Sequence, residues 1–147
     1  MKVSFVIPVY NRPGETEELL RSLSSQSDRD FEVIIVEDGS SESSESVVEK
    51  CRDQLDISYF YKENSGPGPS RNFGCEKAKG EYLIFLDSDC VLPEQYFKIV
   101  RESLDQNFSD AFGGPDRAHK DFTNFQKAIN FSMTSFLTTG GIRGGNE

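Results

Sequence analysis

The 147-residue sequence has no tryptophan, one histidine, two methionines and three cysteines. The single histidine, His119, has no metal-spaced partner and reads as a surface loop residue. It offers no basis for a Ser-His-Asp or Cys-His arrangement. Cys51, Cys75 and Cys90 are odd in number and lack metal-site spacing, so they read as reduced thiols of a cytosolic protein. Long apolar runs are absent too: nothing approaches the roughly 20 residues of a membrane-spanning helix, and the N-terminus opens as a strand rather than a signal peptide. Basic residues are scarce, 16 against 25 acids, for a formal net charge of −9 and a pI near 4.7. That balance argues against nucleic acid and anionic membrane surfaces as partners, because both need a basic face. The length is that of one domain, spanning 1–147, with enough chain to bury a core.

What is present is a repeated pattern of apolar runs and amphipathic stretches. Lys2 to Val9 reads as a first strand, stopped by Tyr10-Asn11-Arg12-Pro13-Gly14. Acids at Glu15, Glu17 and Glu18 then open a helix whose stripe is Leu19, Leu20 and Leu23. Glu32 to Val36 is a second strand ending in Glu37-Asp38-Gly39, followed by a helix with Val47, Val48, Cys51 and Leu55 on one side. Ile57 to Tyr61 is the third strand. The loop from Asn64 should become helical near Pro69 and run to Ala78. Glu81 to Leu86 reads as a strand buried on both faces that drives into Asp87-Ser88-Asp89. Pro93 starts an amphipathic helix with Tyr96, Phe97, Val100 and Leu104 at helical spacing. A short fifth strand is expected at 111–113 and a helix over 122–137. Strand–helix alternation with doubly buried strands predicts an α/β fold on a mainly parallel sheet, whose ligands bind outside the carboxyl ends of the strands.

Three strand ends carry polar groups, and the fold should bring them to one crevice. Asp87-Ser88-Asp89 is the strongest feature. Two acids at the mouth of an apolar strand repel unless a cation or donor groups hold them, and a hard divalent ion prefers such oxygens. The bland alternative is a capped turn before the helix at Pro93. Whether the acids point together or diverge depends on whether the strand persists through them. Asp38 is a plausible acceptor for an N–H or a hydroxyl, and Gly39 lets backbone pass close by, although Asp-Gly is also an ordinary turn. Ser65-Gly66-Pro67-Gly68-Pro69-Ser70-Arg71 is not a phosphate-cradling loop: Pro67 and Pro69 have no N–H to offer, and no lysine follows in place. It reads instead as a rigid loop that aims Arg71 into the crevice, since a cation at a helix start is otherwise a mild misfit.

Taken in order, Val6 to Arg12, Glu32 to Ser40, Asn64-Ser65-Gly66 with Ser70 to Gly74, and Tyr82 to Asp89 resemble the N-terminal half of family 2 glycosyltransferases of the GT-A type. The resemblance implies a GT-A, Rossmann-like three-layer α/β/α fold that binds a nucleoside diphosphate sugar, usually a UDP-sugar, with Mn2+ or Mg2+. It implies that Pro8, Tyr10 and Asn11 border the base, that Asp38 accepts from a base N–H, and that Arg71 sits by the base or diphosphate. Asp87 would meet the ribose and Asp89 the metal. The implied reaction is inverting transfer to a hydroxyl of a saccharide or lipid-linked acceptor of the cell envelope. Glu37 stands where the family often has a second aspartate. The family's acceptor-side catalytic acid is not visible before Glu147, so the sequence reads as a truncated part of a longer enzyme, inactive in transfer alone, whose base lies beyond Glu147. The whole enzyme would be cytoplasmic or peripheral to the inner membrane face. The alternatives are a sugar-1-phosphate nucleotidyltransferase, which would want a Gly-rich basic loop after the first strand, and a non-catalytic α/β binding module.

Overall fold

A computed structural model describes residues 1–113, so the helix expected over 122–137, His119 and the glycine-rich end of the sequence lie outside the described residues. The chain divides into two compact units, Met1–Gln106 and Asn107–Glu147, and all the elements below belong to the first. In order they are β1 (Val3–Val9), α1 (Pro13–Ser24), β2 (Phe31–Asp38), α2 (Glu45–Cys51), β3 (Asp56–Lys62), α3 (Pro67–Lys77), β4 (Tyr82–Phe85) and α4 (Tyr96–Gln106).

The strands form one parallel sheet in the order β3-β2-β1-β4. Alternation along β1 and β2 sorts their side chains onto two faces, both covered, which is why the strands read as unbroken apolar runs. Val3, Phe5, Ile7 and Val9 pack with Phe31, Val33 and Ile35 against Leu19, Leu20 and Leu23 of α1, Val47 and Val48 of α2, and Phe97 and Leu104 of α4. Phe5, Phe31 and Phe97 meet edge to face at 4.9 to 5.9 Å, an arrangement favoured by the ring quadrupoles. On the other face Val6, Ile34 and Val36 receive α3 through Phe73, with Phe60 beside it. This makes the expected three layers.

The chain steps outward from β1 to β2 to β3, then returns beside β1 as β4. The strand order therefore reverses between β1 and β4, and ligand crevices of open α/β sheets form at such a reversal. The return is pinned from below by Glu32, which is 1% exposed. Its carboxylate accepts from Ser4 Oγ at 2.6 Å and from the backbone N–H groups of Lys79 at 2.6 Å and Gly80 at 3.1 Å. Burial pushes this carboxyl up, but the Ser4 hydroxyl, the Lys79 N–H, the charge of Lys2 and the Gly80 N–H together bring it below the usual range.

The structure corrects five details. β4 is not buried on both faces: Leu83 is half-buried and Phe85 is 47% exposed, because among the described strands β4 pairs only with β1. The strand also stops sooner. Leu86 N–H still donates to Val6 O, but Cys90 N–H donates to Asp87 O, so Asp87-Ser88-Asp89 is a turn. α3 begins at Pro67 rather than near Pro69, because Gly66, at φ 90°, takes the N-cap position and Pro67 follows with its φ preset for a helix. Residues 111–113 lie outside regular structure, where Gly113 adds no side chain to support a strand. Pro93 starts a turn, with Tyr96 N–H on Pro93 O, before α4 begins at Tyr96.

Candidate functional site

The carboxyl ends of β1, β2 and β4 and the start of α3 surround a cavity of about 540 Å3. Its walls include Pro8 and Tyr10 after β1, Asp38 at the end of β2, Arg71 on α3, and Asp87, Ser88 and Asp89 after β4. Six of the seven residues expected at the site therefore share one crevice. Asn11 does not line it. Its backbone sits at φ 53°, a left-handed conformation that asparagine tolerates better than most residues. Its side-chain Oδ1 accepts from Ser41 N–H at 2.8 Å, Ser41 Oγ at 3.1 Å and Glu42 N–H at 3.0 Å. Asn11 thus ties the end of β1 to the β2–α2 loop and holds Tyr10, which is 52% exposed, at the rim.

Asp38 is almost completely buried yet borders the crevice. Its Oδ1 accepts from Lys62 Nζ and from Ser65 N–H at 3.0 Å, and its Oδ2 from Gly66 N–H at 2.8 Å. Asn64 Nδ2 donates to the Asp38 carbonyl at 2.8 Å. Burial pushes the carboxyl up, but the hydrogen bonds from Lys62, Ser65, Ser70 and Gly66 outweigh it and leave the group below its ordinary value. Asp38 is therefore held ionised, with its acceptor capacity largely committed. Gly39, at φ 72°, is required beside it: a Cβ there would stand 2.5 Å from Asn64 N. Neighbouring Glu37 faces the opposite layer, where it accepts from Ser40 Oγ, Ser44 N–H at 2.8 Å and Tyr59 OH at 3.2 Å. Burial, and then the Glu37 carboxylate, push the Tyr59 hydroxyl up to about 12 against the opposing Ser43 hydroxyl. Glu37 organises the β2–α2 loop and plays no part in the crevice wall.

The two acids after β4 each meet an arginine. Arg71 Nη2 donates to Asp87 Oδ1 at 2.6 Å, and Arg12 Nη1 donates to Asp89 Oδ2 at 2.9 Å. The turn sends them to different partners, so the two acids diverge rather than point together. Both carboxylates remain more than half exposed, so solvent or ligand oxygens reach them. Among the described residues there is no cluster of three His, Cys, Asp or Glu able to hold a metal on protein ligands alone.

Arg12, Asn64 and Lys62 were not singled out from the sequence. Arg12 carried the same signal that marked Arg71: it occupies the N-cap position of α1 without capping it, an unfavourable place for a cation. Lys62 carried no such signal: only the strand pairing, which puts it in register with Asp38, brings it to the site.

The fold and site together define a Rossmann-like α/β domain with an acid- and arginine-lined crevice at its topological switch point. The chain belongs to glycosyl transferase family 2, whose model matches residues 4–146. It is 35% identical over 114 residues to the poly(ribitol-phosphate) β-N-acetylglucosaminyltransferase TarS of Staphylococcus aureus, covering 75% of this chain and 20% of that protein. It is 31% identical over 115 residues to a GalNAc(5)-diNAcBac-PP-undecaprenol β-1,3-glucosyltransferase of Campylobacter jejuni, covering 76% of this chain and 37% of that one. The chain thus spans well under half the length of these relatives. Among solved structures, S. aureus TarS in complex with UDP superimposes with a TM-score of 0.70 at 30% identity, over 82% of this chain and 40% of that one. A mannosyltransferase from Pyrobaculum calidifontis in complex with GDP-Man and Mn2+ gives 0.58 at 27%, over 62% of this chain and 28% of that one.

Proposed function

We propose that this chain is the donor-binding part of a glycosyltransferase that moves a sugar from a nucleoside diphosphate sugar, a UDP-sugar first, to an acceptor hydroxyl with inversion. The observation that carries this reading is the convergence of Asp38, Arg71, Asp87, Asp89 and Arg12 on one crevice between β1 and β4. The UDP and UDP-GlcNAc complexes of TarS support the choice of nucleotide.

In this reading the base lies against Pro8 and Tyr10 with an N–H directed at Asp38, and the ribose hydroxyls reach Asp87. Asp89 and the diphosphate oxygens would share a divalent cation. The donor set fits Mg2+ or Mn2+ on those terms, because such ions are commonly held by one or two carboxylates plus substrate phosphates. When bound, the ion supplies charge stabilisation for the departing diphosphate. Arg12 and Arg71, released from their carboxylates, supply the same from the protein side, and a guanidinium fork matches phosphate oxygens.

The acceptor hydroxyl would attack the anomeric carbon from the side opposite the diphosphate, assisted by a carboxylate base. In this scheme each acid of the crevice already serves the donor, Asp38 at the base, Asp87 at the ribose and Asp89 at the cation, so the catalytic base belongs outside the described residues, and these residues account for donor binding rather than transfer. The names of the relatives, one acting on poly(ribitol-phosphate) and one on an undecaprenol-linked sugar, support an envelope polymer or its lipid-linked precursor as acceptor. A cytoplasmic location fits such donors.

Calorimetric titration of UDP with Mn2+ tests the proposal. Saturable 1:1 binding that is strengthened by Mn2+ and lost in the Asp87→Asn, Asp89→Asn double variant is expected. Undiminished affinity in that variant would refute it.

A further inference from the structure

Beneath the crevice lies a polar cluster that donor recognition as described above leaves unused, centred on Lys62. We propose that Lys62 is a positioning residue that fixes Asp38 as an acceptor only, and so makes the crevice select donor nucleotides whose base presents an N–H. The inference rests on the nucleotide-binding reading of the crevice and adds the origin of its base preference.

Lysine is rarely buried unless paired, and the Lys62 side chain is only 18% exposed. Sheet register puts it there: Lys62 is the cross-strand partner of Asp38 in the parallel β2–β3 pair, and such partners lie on the same face. Its ammonium donates to Asp38 Oδ1, to Ser65 Oγ at 2.5 Å, to the Glu63 carbonyl at 2.8 Å and, more distantly, to Ser70 Oγ at 3.3 Å. Ser70 is fully buried in the first turn of α3 and donates to the Gly66 carbonyl at 2.9 Å. One cation therefore joins the ends of β2 and β3 to the loop that leads into α3.

The chemical consequence falls on Asp38. A buried carboxyl free of partners would take up a proton, and a protonated acid both donates and accepts. With Lys62 and the Ser65 N–H on one oxygen and the Gly66 N–H on the other, the group stays ionised and offers lone pairs only. A ligand edge that turns an N–H towards it gains a charge-assisted hydrogen bond. An edge that turns a lone pair towards it is repelled by the carboxylate and gains no such bond. Uracil has an N–H at ring position 3, and cytosine has a lone pair at the same position. Without the cation the carboxyl can switch to donor, and the distinction fades.

The experiment compares UDP, CDP and pyrophosphate, each with Mn2+, by calorimetry on the whole chain, wild type and Lys62→Met. For the wild type, UDP is expected to bind at least about tenfold more tightly than CDP, the size of one hydrogen bond to a charged group. In Lys62→Met that ratio should fall to within about threefold, while pyrophosphate affinity stays within about twofold, because the diphosphate end of the crevice does not touch Lys62. A purely structural role would weaken all three ligands alike and leave the ratio intact. Circular dichroism checks folding. Should methionine prevent it, Lys62→Gln keeps a donor towards Asp38 without the charge and should still reduce the ratio. An unchanged UDP-to-CDP ratio in whichever variant is folded overturns the role of Lys62 while leaving nucleotide binding in place. Wild-type protein that binds no UDP overturns both readings, and wild-type protein that binds UDP and CDP equally overturns this one alone.

Discussion

Gly74 offers the sharpest test of how the site is built on the fold. It lies on α3, one turn beyond Arg71, where the helix crosses β1 and β2. A Cβ at this position would stand 2.4 Å from Val6 Cγ1 and 3.3 Å from Val36 Cγ2, against the 3.5–4.0 Å at which carbon atoms rest. Val6 cannot yield easily: it is fully buried, its χ1 is stiff, and its strand is paired on both sides to Ile34 and Phe85. Gly74→Ala should gain about 1 kcal/mol of helix propensity and lose more than that to overpacking, whose usual range is about 1–3 kcal/mol. Because a 2.4 Å approach to a stiff, buried neighbour puts the loss in the upper part of that range, about 2–3 kcal/mol, a net destabilisation of about 1–2 kcal/mol is expected. Val6→Ala removes the offending methyl and alone costs about 2–3 kcal/mol. The two losses should not add: the double variant is expected to be more stable than their sum by about 1–2 kcal/mol. Urea unfolding followed by circular dichroism measures this, because at an m-value of about 2 kcal/mol/M the single Gly74→Ala change moves the midpoint by roughly 0.5–1 M. UDP affinity should fall with Gly74→Ala, as α3 lifts Arg71 from the crevice, and recover partly in the double variant. Additivity within about 0.5 kcal/mol would show that the helix is not held against Val6, and would refute the account of how Arg71 is aimed.

Glu32→Leu strips the acceptor from the Lys79 and Gly80 N–H groups and from Ser4, and should cost about 2–4 kcal/mol in the same urea assay; a change below 0.5 kcal/mol, about the noise of a surface site, would contradict the pinning role. Both Glu32 and Asp38 are held below their ordinary values in the folded chain, so each contributes stability that is complete above the unfolded carboxylate range and is lost as pH falls through the folded value. Thermal melts should therefore be level near neutrality and fall progressively below about pH 4.5, and Glu32→Leu should flatten part of that fall. Asn11→Ala loses three accepted hydrogen bonds and leaves alanine at positive φ, for about 2–4 kcal/mol; Asn11→Gly relieves the backbone alone and should recover less than half of it. Phe97→Ala opens the Phe5–Phe31–Phe97 cluster and should cost about 3–5 kcal/mol by urea unfolding.

The strands were legible because burial on both faces leaves its mark as continuous apolar runs in β1 and β2. The same logic misled at β4, whose residues are as apolar as those of β1 although one edge and Phe85 stay open among the described residues. Composition reports hydrophobicity, and only pairing reports which face is covered. Asp38, Asp87 and Asp89 were legible because polar groups at the ends of apolar strands are expensive unless used, and Arg71 because a cation near a helix start is unfavourable. Asn11 sat inside the same motif, and nothing local distinguishes an asparagine that faces a ligand from one whose Oδ1 is satisfied by Ser41 and Glu42, thirty residues away. Lys62 was hidden for a related reason: its importance comes from sheet register with Asp38, which is a property of the pairing and not of either strand alone.

On the nucleotide-binding reading, the arginine–carboxylate pairs would also let an acidic chain receive a polyanion. Within the crevice three acids, Asp38, Asp87 and Asp89, are matched by three bases, Lys62, Arg71 and Arg12, so the formal charge of −9 is carried elsewhere in the sequence. At a distance the donor therefore meets a repulsive field, but one that physiological salt screens within about 8 Å. At contact it meets guanidinium groups already held over the mouth by exposed carboxylates, pairs weak enough to exchange partners. A divalent cation, if it binds with the diphosphate as proposed, would remove much of the long-range repulsion and compete with Arg12 for Asp89, freeing that arginine for the phosphates. The two effects of salt then oppose each other in rate and affinity. Association of the metal-free nucleotide should quicken as salt rises from about 20 to 200 mM while its affinity weakens, and stopped-flow binding separates the two. An association rate that falls with salt would mean that the crevice projects a positive field beyond its own mouth, which the one-to-one matching of its charges does not allow.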